Sequence, residues 1–296
     1  MTAADAPNRT APGGPGDRRR LRVAHDVRAG LATRARREES AAPRGTLLYV
    51  HGLGESSLGF EAVIGDDRLA DWRHLAPDLP GYGKTAWPDA SVDADGRSLA
   101  AHVEALVAWL DALGETAPVV VVGHSMGGVI AVMLAERHPT RVRAMVDVEG
   151  NVSLDDCGYS RRFGAYETVD ALLPDAHAAL LDDIYRMGVD DPAHRAYHVS
   201  LRLCDPRTLH RNSLDLVQQS STERLEPAQT LARRRGALST PLHYLYGAPR
   251  GTGARSRAML DDAGVAYEAI DDAGHWPFLD QHDAFVAALA RFLDSL

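Results

Sequence analysis

Residues 118–138 read Pro-Val-Val-Val-Val-Gly-His-Ser-Met-Gly-Gly-Val-Ile-Ala-Val-Met-Leu-Ala-Glu-Arg-His. The four consecutive valines from Val119 to Val122 are typical of a strand that is buried on both faces. The pentapeptide Gly123-His124-Ser125-Met126-Gly127 follows, and an apolar, alanine-rich helix is predicted from there to Pro139. A strand, a sharp turn and a helix in this order form the context in which the G-x-S-x-G pattern carries a nucleophile.

The two glycines of this turn have a mechanical role. A turn this tight brings the strand and helix backbones together, so a Cβ at Gly123 or Gly127 would clash. The turn should present the Ser125 hydroxyl above the sheet edge, where helix N-terminal amides favour negative charge. Ser125 is therefore the candidate nucleophile. The alternative is a plain Gly-Ser turn that only connects a strand to a helix.

The composition is that of an ordinary globular protein and argues against several classes. The chain has 296 residues, of which 45% are hydrophobic and 25% charged, enough for one large domain or a core with an insertion. A formal net charge of −9 argues against a nucleic-acid surface. No apolar run suggests a transmembrane helix or a secretory signal, so we expect a cytoplasmic protein without a membrane partner. The composition does not indicate an oligomeric state.

Pattern and composition divide the chain into three parts. Residues 1–20 contain almost no large apolar side chain, which predicts a disordered tail. Residues 21–149 and 239–296 alternate strand and helix patterns, which predicts a mostly parallel sheet flanked by helices. Within them, the loose alternation of residues 21–40 predicts two antiparallel edge strands, and the charges from Arg34 to Glu39 suit an exposed edge. Residues 150–238 lack β-branched runs and show helical periodicity, so we interpret them as a helical cap inserted into the core.

Four segments together resemble the α/β-hydrolase superfamily and follow its order along the chain. They are His51-Gly52-Leu53-Gly54, Asp78-Leu79-Pro80-Gly81-Tyr82-Gly83, Gly123-His124-Ser125-Met126-Gly127-Gly128 and Gly274-His275-Trp276-Pro277. The resemblance covers roughly residues 21–296 and implies an α/β-hydrolase sheet with Ser125 as nucleophile and His275 as general base. Taken alone, His275 would be interpreted as a histidine of a surface loop.

The loop after the third predicted strand indicates an oxyanion hole. The strand from Thr46 to Val50 ends in a His-Gly-x-Gly segment, and in hydrolases of this plan that loop supplies one backbone amide. Here the amide would be Leu53 N–H, paired with Met126 N–H after the nucleophile. His51 is expected to bond the loop backbone, without a direct part in catalysis.

The acid departs from the pattern that is usual in the superfamily. An Asp usually stands three residues past the glycine that ends the seventh strand, but Gly247 is followed here by Ala248-Pro249-Arg250-Gly251-Thr252. The next carboxylates, Asp261 and Asp262, fall within a predicted helix. An imidazolium that forms over a buried site nevertheless needs an anion at its other nitrogen. The acid must therefore come from elsewhere in the chain.

The sixth predicted strand, Val142 to Val148, offers that anion at its carboxyl end. The segment Val148-Glu149-Gly150-Asn151 resembles the acid position of haloalkane dehalogenases and of a subset of serine hydrolases. Since the sixth and seventh strands are expected to be neighbours, Glu149 should reach the same imidazole, and we assign it the role of acid. Asp147, two residues earlier, is the rival. The remaining alternative is that Glu149 only caps the start of the cap domain.

These residues predict acyl transfer without a cofactor. A serine nucleophile forms an acyl-enzyme, so the expected substrate is a small to medium carboxylic ester, lactone or thioester whose acyl group passes to water. The 13 histidines show no metal-binding spacing and no phosphate-binding glycine loop occurs, so neither a metal nor a cofactor is expected. Two alternatives remain open: an acyltransferase or cyclase that uses the same acyl-enzyme, and a non-catalytic receptor for a small ligand.

Overall fold

The computed structural model describes residues 22–222 and 224–296 and has an eight-stranded sheet at its centre. In chain order the strands are β1 Val23–Arg28, β2 Leu31–Arg36, β3 Thr46–Val50, β4 Arg73–Pro77, β5 Val119–His124, β6 Val142–Val148, β7 Leu242–Pro249 and β8 Tyr267–Ala273. Their order across the sheet is β1-β2-β4-β3-β5-β6-β7-β8. The predicted tail, residues 1–20, lies outside the described residues.

The six strands β3 to β8 are parallel to one another, whereas β2 pairs antiparallel with both β1 and β4. The carboxyl ends of β3 to β8 therefore lie at one edge of the sheet. In an open parallel sheet this edge is where ligands bind. The loops that follow β3, β5, β6, β7 and β8 can accordingly contribute to a single site.

Twelve α-helices accompany the sheet in the described chain. They are α1 Glu61–Ile64, α2 Leu99–Ala112, α3 Met126–Arg137, α4 Gly158–Phe163, α5 Val169–Leu172, α6 Asp175–Met187, α7 Pro192–Leu201, α8 Pro206–Ser220, α9 Leu231–Gly236, α10 Ala254–Asp262, α11 Pro277–Asp280 and α12 His282–Asp294. The helices α4 to α9 all fall between β6 and β7. This confirms the predicted mostly parallel sheet with flanking helices and a helical insertion. None of the described helices is both long and apolar enough to cross a bilayer.

The core is built around β5 and α3. Val119 to Val122 are each at most 1% exposed, and the side chains of α3 are buried from Met126 to Ala135. A helix that is apolar on every side belongs in the interior of an α/β protein, since it has no face to present to water. The turn between β5 and α3 is therefore held rigidly from both sides.

The N-terminal hairpin corrects one interpretation of the sequence. Two antiparallel strands form as predicted, but the arginines of β2 are not on an exposed edge. Arg34 donates to Glu61 Oε2 at 3.0 Å and to Ser57 Oγ at 2.7 Å, and Arg36 donates to Ile64 O at 3.1 Å. Because β2 lies between β1 and β4, its charged side chains are buried, and partners in the neighbouring segments satisfy them.

Candidate active site

Ser125 occupies the turn between β5 and α3 in a strained backbone conformation. Its φ of 53° and ψ of −116° are rare for a residue other than glycine and cost about 1–3 kcal/mol. A Cβ at Gly127 would lie 2.0 Å from Val50 O, and one at Gly123 would lie 2.4 Å from Gly127 O. Both contacts are with backbone atoms, so only glycine fits at either position. The pattern Gly-x-Ser-x-Gly is therefore a steric requirement of this turn.

Ser125 and His275 line the same cavity, which has a volume of about 410 Å³. Ser125 is 8% exposed, and the His275 side chain is 30% exposed. Within the part of the chain that the structure describes, the Ser125 hydroxyl makes no hydrogen bond to protein. Hydrogen bonds between catalytic groups are often long or unformed until substrate binds, so both side chains remain candidates.

Glu149 lies behind the His275 ring, on the side of Nδ1. His275 Nδ1 and Glu149 Oε2 are 3.3 Å apart, and the Glu149 side chain is 3% exposed. The distance slightly exceeds the 2.6–3.2 Å that we expect for a formed catalytic hydrogen bond. The structure thus brings together the two side chains that the sequence assigns as general base and acid, although they lie 126 positions apart in the chain.

The loop after β7 holds the Glu149 carboxylate. Glu149 Oε1 accepts hydrogen bonds from Gly247 N at 2.7 Å and from Thr252 N at 3.1 Å. A Cβ at Gly251 would lie 1.9 Å from the same oxygen. Glu149 itself has a φ of 54°, a conformation that is uncommon for glutamate. The segment that lacks its own carboxylate therefore supplies backbone donors to the carboxylate of the neighbouring strand.

Asp147 is engaged elsewhere. Asp147 Oδ2 accepts a hydrogen bond from Arg235 Nε at 2.6 Å, and both side chains are fully buried. No hydrogen bond joins Asp147 to His275 among the described residues. Asp261 and Asp262 lie exposed on α10. Of the four candidate carboxylates, Glu149 is therefore the one that contacts the imidazole.

The surroundings of His275 favour its protonated form. Burial lowers the pKa of His275, but the hydrogen bond and the charge of Glu149, together with the smaller effects of Glu55 and Asp156, outweigh this effect. The pKa is therefore raised above the ordinary value of 6.5. A raised pKa makes the imidazole a stronger base and stabilises the imidazolium that forms when it accepts a proton.

The two predicted oxyanion donors belong to the loop after β3 and to the start of α3. Leu53 lines the cavity, and Met126 is the first residue of α3. Neither backbone N–H donates to a protein acceptor in the described chain. His51 supports the loop as expected, since Nδ1 donates to Gly52 O at 2.9 Å and Nε2 accepts from Leu79 N at 3.1 Å.

The sequence analysis singled out no residue of the insertion between β6 and β7. The structure shows that Tyr159, Asp191, His194 and Tyr197 of this insertion line the cavity. The Tyr197 ring packs against the Trp276 ring with centroids 5.4 Å apart, so α7 contacts the loop that carries His275. The spacing of these side chains matches no motif, and only the folded cap brings them to the site.

Among the described residues, one group of side chains has the spacing of a cation site, and it lies outside the cavity lining. Ligand atoms of Asp66, His282 and Asp283 lie within 4.8 Å of one another. Arg68 Nη2 already donates to Asp66 Oδ2 at 2.8 Å and to Asp283 Oδ1 at 2.9 Å. A guanidinium therefore supplies the positive charge that these carboxylates need, and we assign no metal to them.

Comparisons with known proteins agree with this architecture. The profile of the alpha/beta hydrolase fold family matches residues 45–185. A hydrolase from Pseudomonas aeruginosa superposes with a TM-score of 0.67 at 19% identity, over 92% of this chain and 98% of that one. This structural likeness supports the fold alone.

Two curated relatives add evidence from sequence. Lipase LipV of Mycobacterium tuberculosis is 44% identical over 127 residues, and this chain covers only 43% of its length. The pimeloyl-[acyl-carrier protein] methyl ester esterase of Chromobacterium violaceum is 30% identical over 261 residues, which are 84% of this chain and 94% of the esterase. The fold, the nucleophile turn and this nearly full-length relative together place the chain in the α/β-hydrolase superfamily.

Proposed function

We propose that this protein is a cofactor-free serine hydrolase that cleaves a small to medium carboxylic ester, lactone or thioester through an acyl-enzyme. The observation that carries the proposal is the strained Ser125 turn, which opens into the cavity that His275 lines. Backbone strain at a position that faces a cavity is typical of functional sites. The contact between His275 Nδ1 and Glu149 Oε2 supports Glu149 as the third member of a triad.

The geometry supports a two-step reaction. Ser125 Oγ attacks the substrate carbonyl carbon while His275 Nε2 takes the hydroxyl proton, and the Leu53 and Met126 N–H groups stabilise the oxyanion. His275 then donates this proton to the leaving group as the bond to the carbonyl carbon breaks. Water attacks the acyl-enzyme in the same manner and releases the acid and free Ser125. Throughout, the Glu149 carboxylate stabilises the imidazolium.

The cavity limits the size of the substrate. A volume of about 410 Å³ falls at the lower end of the range of roughly 300–1,000 Å³ that is usual for small-molecule sites. The named relatives are a lipase and a methyl ester esterase, which supports an ester as the scissile group. We therefore place the reacting carbonyl beside Ser125 and the variable acyl and leaving groups against the cap.

The test is the loss of the nucleophile with a matched control. Ser125→Ala should keep the fold and lower kcat on a 4-nitrophenyl ester by on the order of 10⁴-fold, because only binding and the oxyanion donors remain. It should also abolish labelling by a serine-directed fluorophosphonate. Ser160 lines the same cavity, so Ser160→Ala is the control and should remain labelled and active.

The outcomes separate the alternatives. Activity or labelling that survives in Ser125→Ala would remove Ser125 from the mechanism. A wild-type protein that is neither labelled nor active would favour the non-catalytic receptor. If wild type is labelled, product analysis with added alcohols and amines distinguishes transfer to water from transfer to another acceptor.

A further inference from the structure

A buried carboxylate outside the proposed triad accepts three hydrogen bonds beside the cavity. Glu55 is 7% exposed. Its Oε2 accepts from Gly52 N at 2.9 Å and from His124 Nδ1 at 2.9 Å, and its Oε1 accepts from Trp276 Nε1 at 2.8 Å. Sequence reasoning gave no role to Glu55, His124 or Trp276. Each side chain belongs to a motif quoted above or to the loop that follows one.

The hydrogen bonds determine the charges of Glu55 and His124. His124 Nε2 lies 2.7 Å from the backbone oxygen of His275, which can only accept, so Nε2 carries a proton. Nδ1 lies 2.9 Å from Glu55 Oε2, and a carboxylate oxygen can only accept, so an ionised Glu55 requires a proton on Nδ1 as well. Burial raises the pKa of Glu55, but the charge of His124 and the hydrogen bonds lower it to about 2. The pair is therefore an imidazolium and a carboxylate.

The pair touches all three segments that carry the proposed reaction. The three hydrogen-bond partners of Glu55 are chain neighbours of the residues assigned to the reaction: Gly52 precedes Leu53, His124 precedes Ser125, and Trp276 follows His275. The His124 and His275 rings are also in contact, with centroids 4.8 Å apart. A single buried ion pair thus connects the oxyanion loop, the nucleophile turn and the base loop.

We propose that the Glu55–His124 ion pair is a positioning device that holds these three segments in their reactive arrangement. The inference rests on the proposed function. Neither side chain touches the reacting atoms, so both are positioning residues. A buried ion pair contributes little net stability compared with a well-packed apolar pair, which makes geometry the better explanation for its presence. Misplacement of a reacting group by about 1 Å can cost about 10²-fold in rate.

Glutamine cannot replace Glu55 without conflict. Gly52 N–H and Trp276 Nε1–H are donors in every protonation state, and they bond to different carboxylate oxygens. A glutamine amide has one oxygen and one NH₂ group, so its NH₂ must face one of these two donors. Either the oxyanion loop or the base loop must then shift.

The experiment compares Glu55→Gln with Glu115→Gln. Glu115 is also a buried carboxylate, 8% exposed, and accepts from Thr46 Oγ1 at 3.0 Å and from Arg73 Nη1 at 2.7 Å at the opposite edge of the sheet. Both variants should lose thermal stability. Glu55→Gln should lower kcat per fluorophosphonate-titrated site by on the order of 10–100-fold with little change in KM. Glu115→Gln should leave kcat per titrated site unchanged.

A second variant applies if Glu55→Gln does not fold. Glu55→Asp keeps the charge but withdraws the carboxylate by one methylene, so it cannot reach all three donors, and it should show a smaller loss of kcat. A kcat per titrated site within about twofold of wild type, in whichever of these variants folds, would overturn the inference. If Ser125→Ala is inactive while the Glu55 variants are fully active, this inference fails and the proposed function stands. If wild type is neither labelled nor active, the proposed function itself fails.

Discussion

At the scale of single residues, we propose that Glu149 acts as the triad acid from β6, in place of a carboxylate on the loop after β7. The backbone N–H groups of Gly247 and Thr252 point at one carboxylate oxygen, as they would toward an acid on their own loop. Because β6 and β7 are parallel neighbours, the end of β6 lies beside that loop. Glutamate has the reach to cross from one strand to the next. Loss of this side chain would leave both the donors and the imidazole without an anion.

The pH dependence of activity should report this contact. His275 must be neutral to act as a base, so kcat/KM should rise with pH through its pKa. Since that pKa is raised above 6.5, the half-maximal rate in wild type should fall above pH 6.5. Glu149→Gln removes the two largest causes that raise the His275 pKa, while burial, which lowers it, and the smaller effects of Glu55 and Asp156, which raise it, remain. The residual activity should therefore have its half-maximum at a lower pH than in wild type. The measurement is kcat/KM from pH 5 to pH 9 in both proteins.

Asp147→Asn is the matched control for this prediction. Glu149→Gln should lower kcat by on the order of 10³–10⁴-fold, because the amide does not stabilise an imidazolium and can hold the wrong tautomer. Asp147→Asn leaves the buried Arg235 charge without its partner and should cost about 3–5 kcal/mol of stability, with kcat per titrated site retained. The reverse pattern would make Asp147 the acid.

At the scale of elements, the helices of the insertion differ in how firmly they attach to the sheet domain. The helix α6 buries only Leu180 and Ile184. By contrast, α8 buries eight of its residues and bonds to the core, since Tyr82 Oη donates to Asn212 Oδ1 at 2.7 Å and Leu99 N donates to Asp215 Oδ2 at 3.0 Å. We propose residues 150–238 as the cap. Its freedom to move should therefore vary along its length.

Hydrogen exchange should reveal this difference. Amides of α6 should exchange at least about tenfold faster than those of α8, because opening α6 breaks few buried contacts whereas opening α8 breaks polar contacts to the core. Amides of β5, buried throughout, provide the slow reference. Equal protection in α6, α8 and β5 would contradict a lid that opens for substrate entry. The triad assignment does not depend on this result.

At the scale of the whole molecule, the features that the sequence predicted depend on short segments and on general rules of sheet topology. The strand, turn and helix around Ser125 follow from consecutive residues, and the position of Glu149 follows because parallel strands end at one edge of the sheet. The Glu55–His124 contact joins residues 69 positions apart, and no periodic pattern marks it. The contact of Tyr197 with Trp276 depends on how the cap folds over the core. Arg34 was expected on an exposed edge because its charge was considered without Glu61 and Ser57, the partners that it contacts in the folded chain.

Charge distribution across the molecule leads to a prediction about substrates. The chain carries a formal net charge of −9, and six of the described residues that line the cavity are acidic: Glu55, Glu149, Asp155, Asp156, Asp191 and Asp280. Arg250 provides the single arginine or lysine of that lining. The charge of Glu55 is compensated by His124, but carboxylates still outnumber arginines and lysines in the lining, and a cleft lined mostly by one sign of charge repels ligands of that sign. The site should therefore discriminate against substrates that carry a carboxylate.

Two esters of similar shape test this discrimination. Mono-4-nitrophenyl glutarate, an anion, should show a kcat/KM on the order of tenfold or more below that of neutral 4-nitrophenyl pentanoate at low salt. The gap should narrow with added salt, because the Debye length falls from about 30 Å at 0.01 M to about 3 Å at 1 M. Asp155, 53% exposed at the cavity, allows a matched substitution: Asp155→Asn should raise kcat/KM for the anion alone. Asp294→Asn removes a charge that is 69% exposed beside Arg44, outside the cavity lining, and should change neither rate. An anionic ester that is cleaved as fast as its neutral counterpart at low salt would show that the carboxylates do not control access to Ser125.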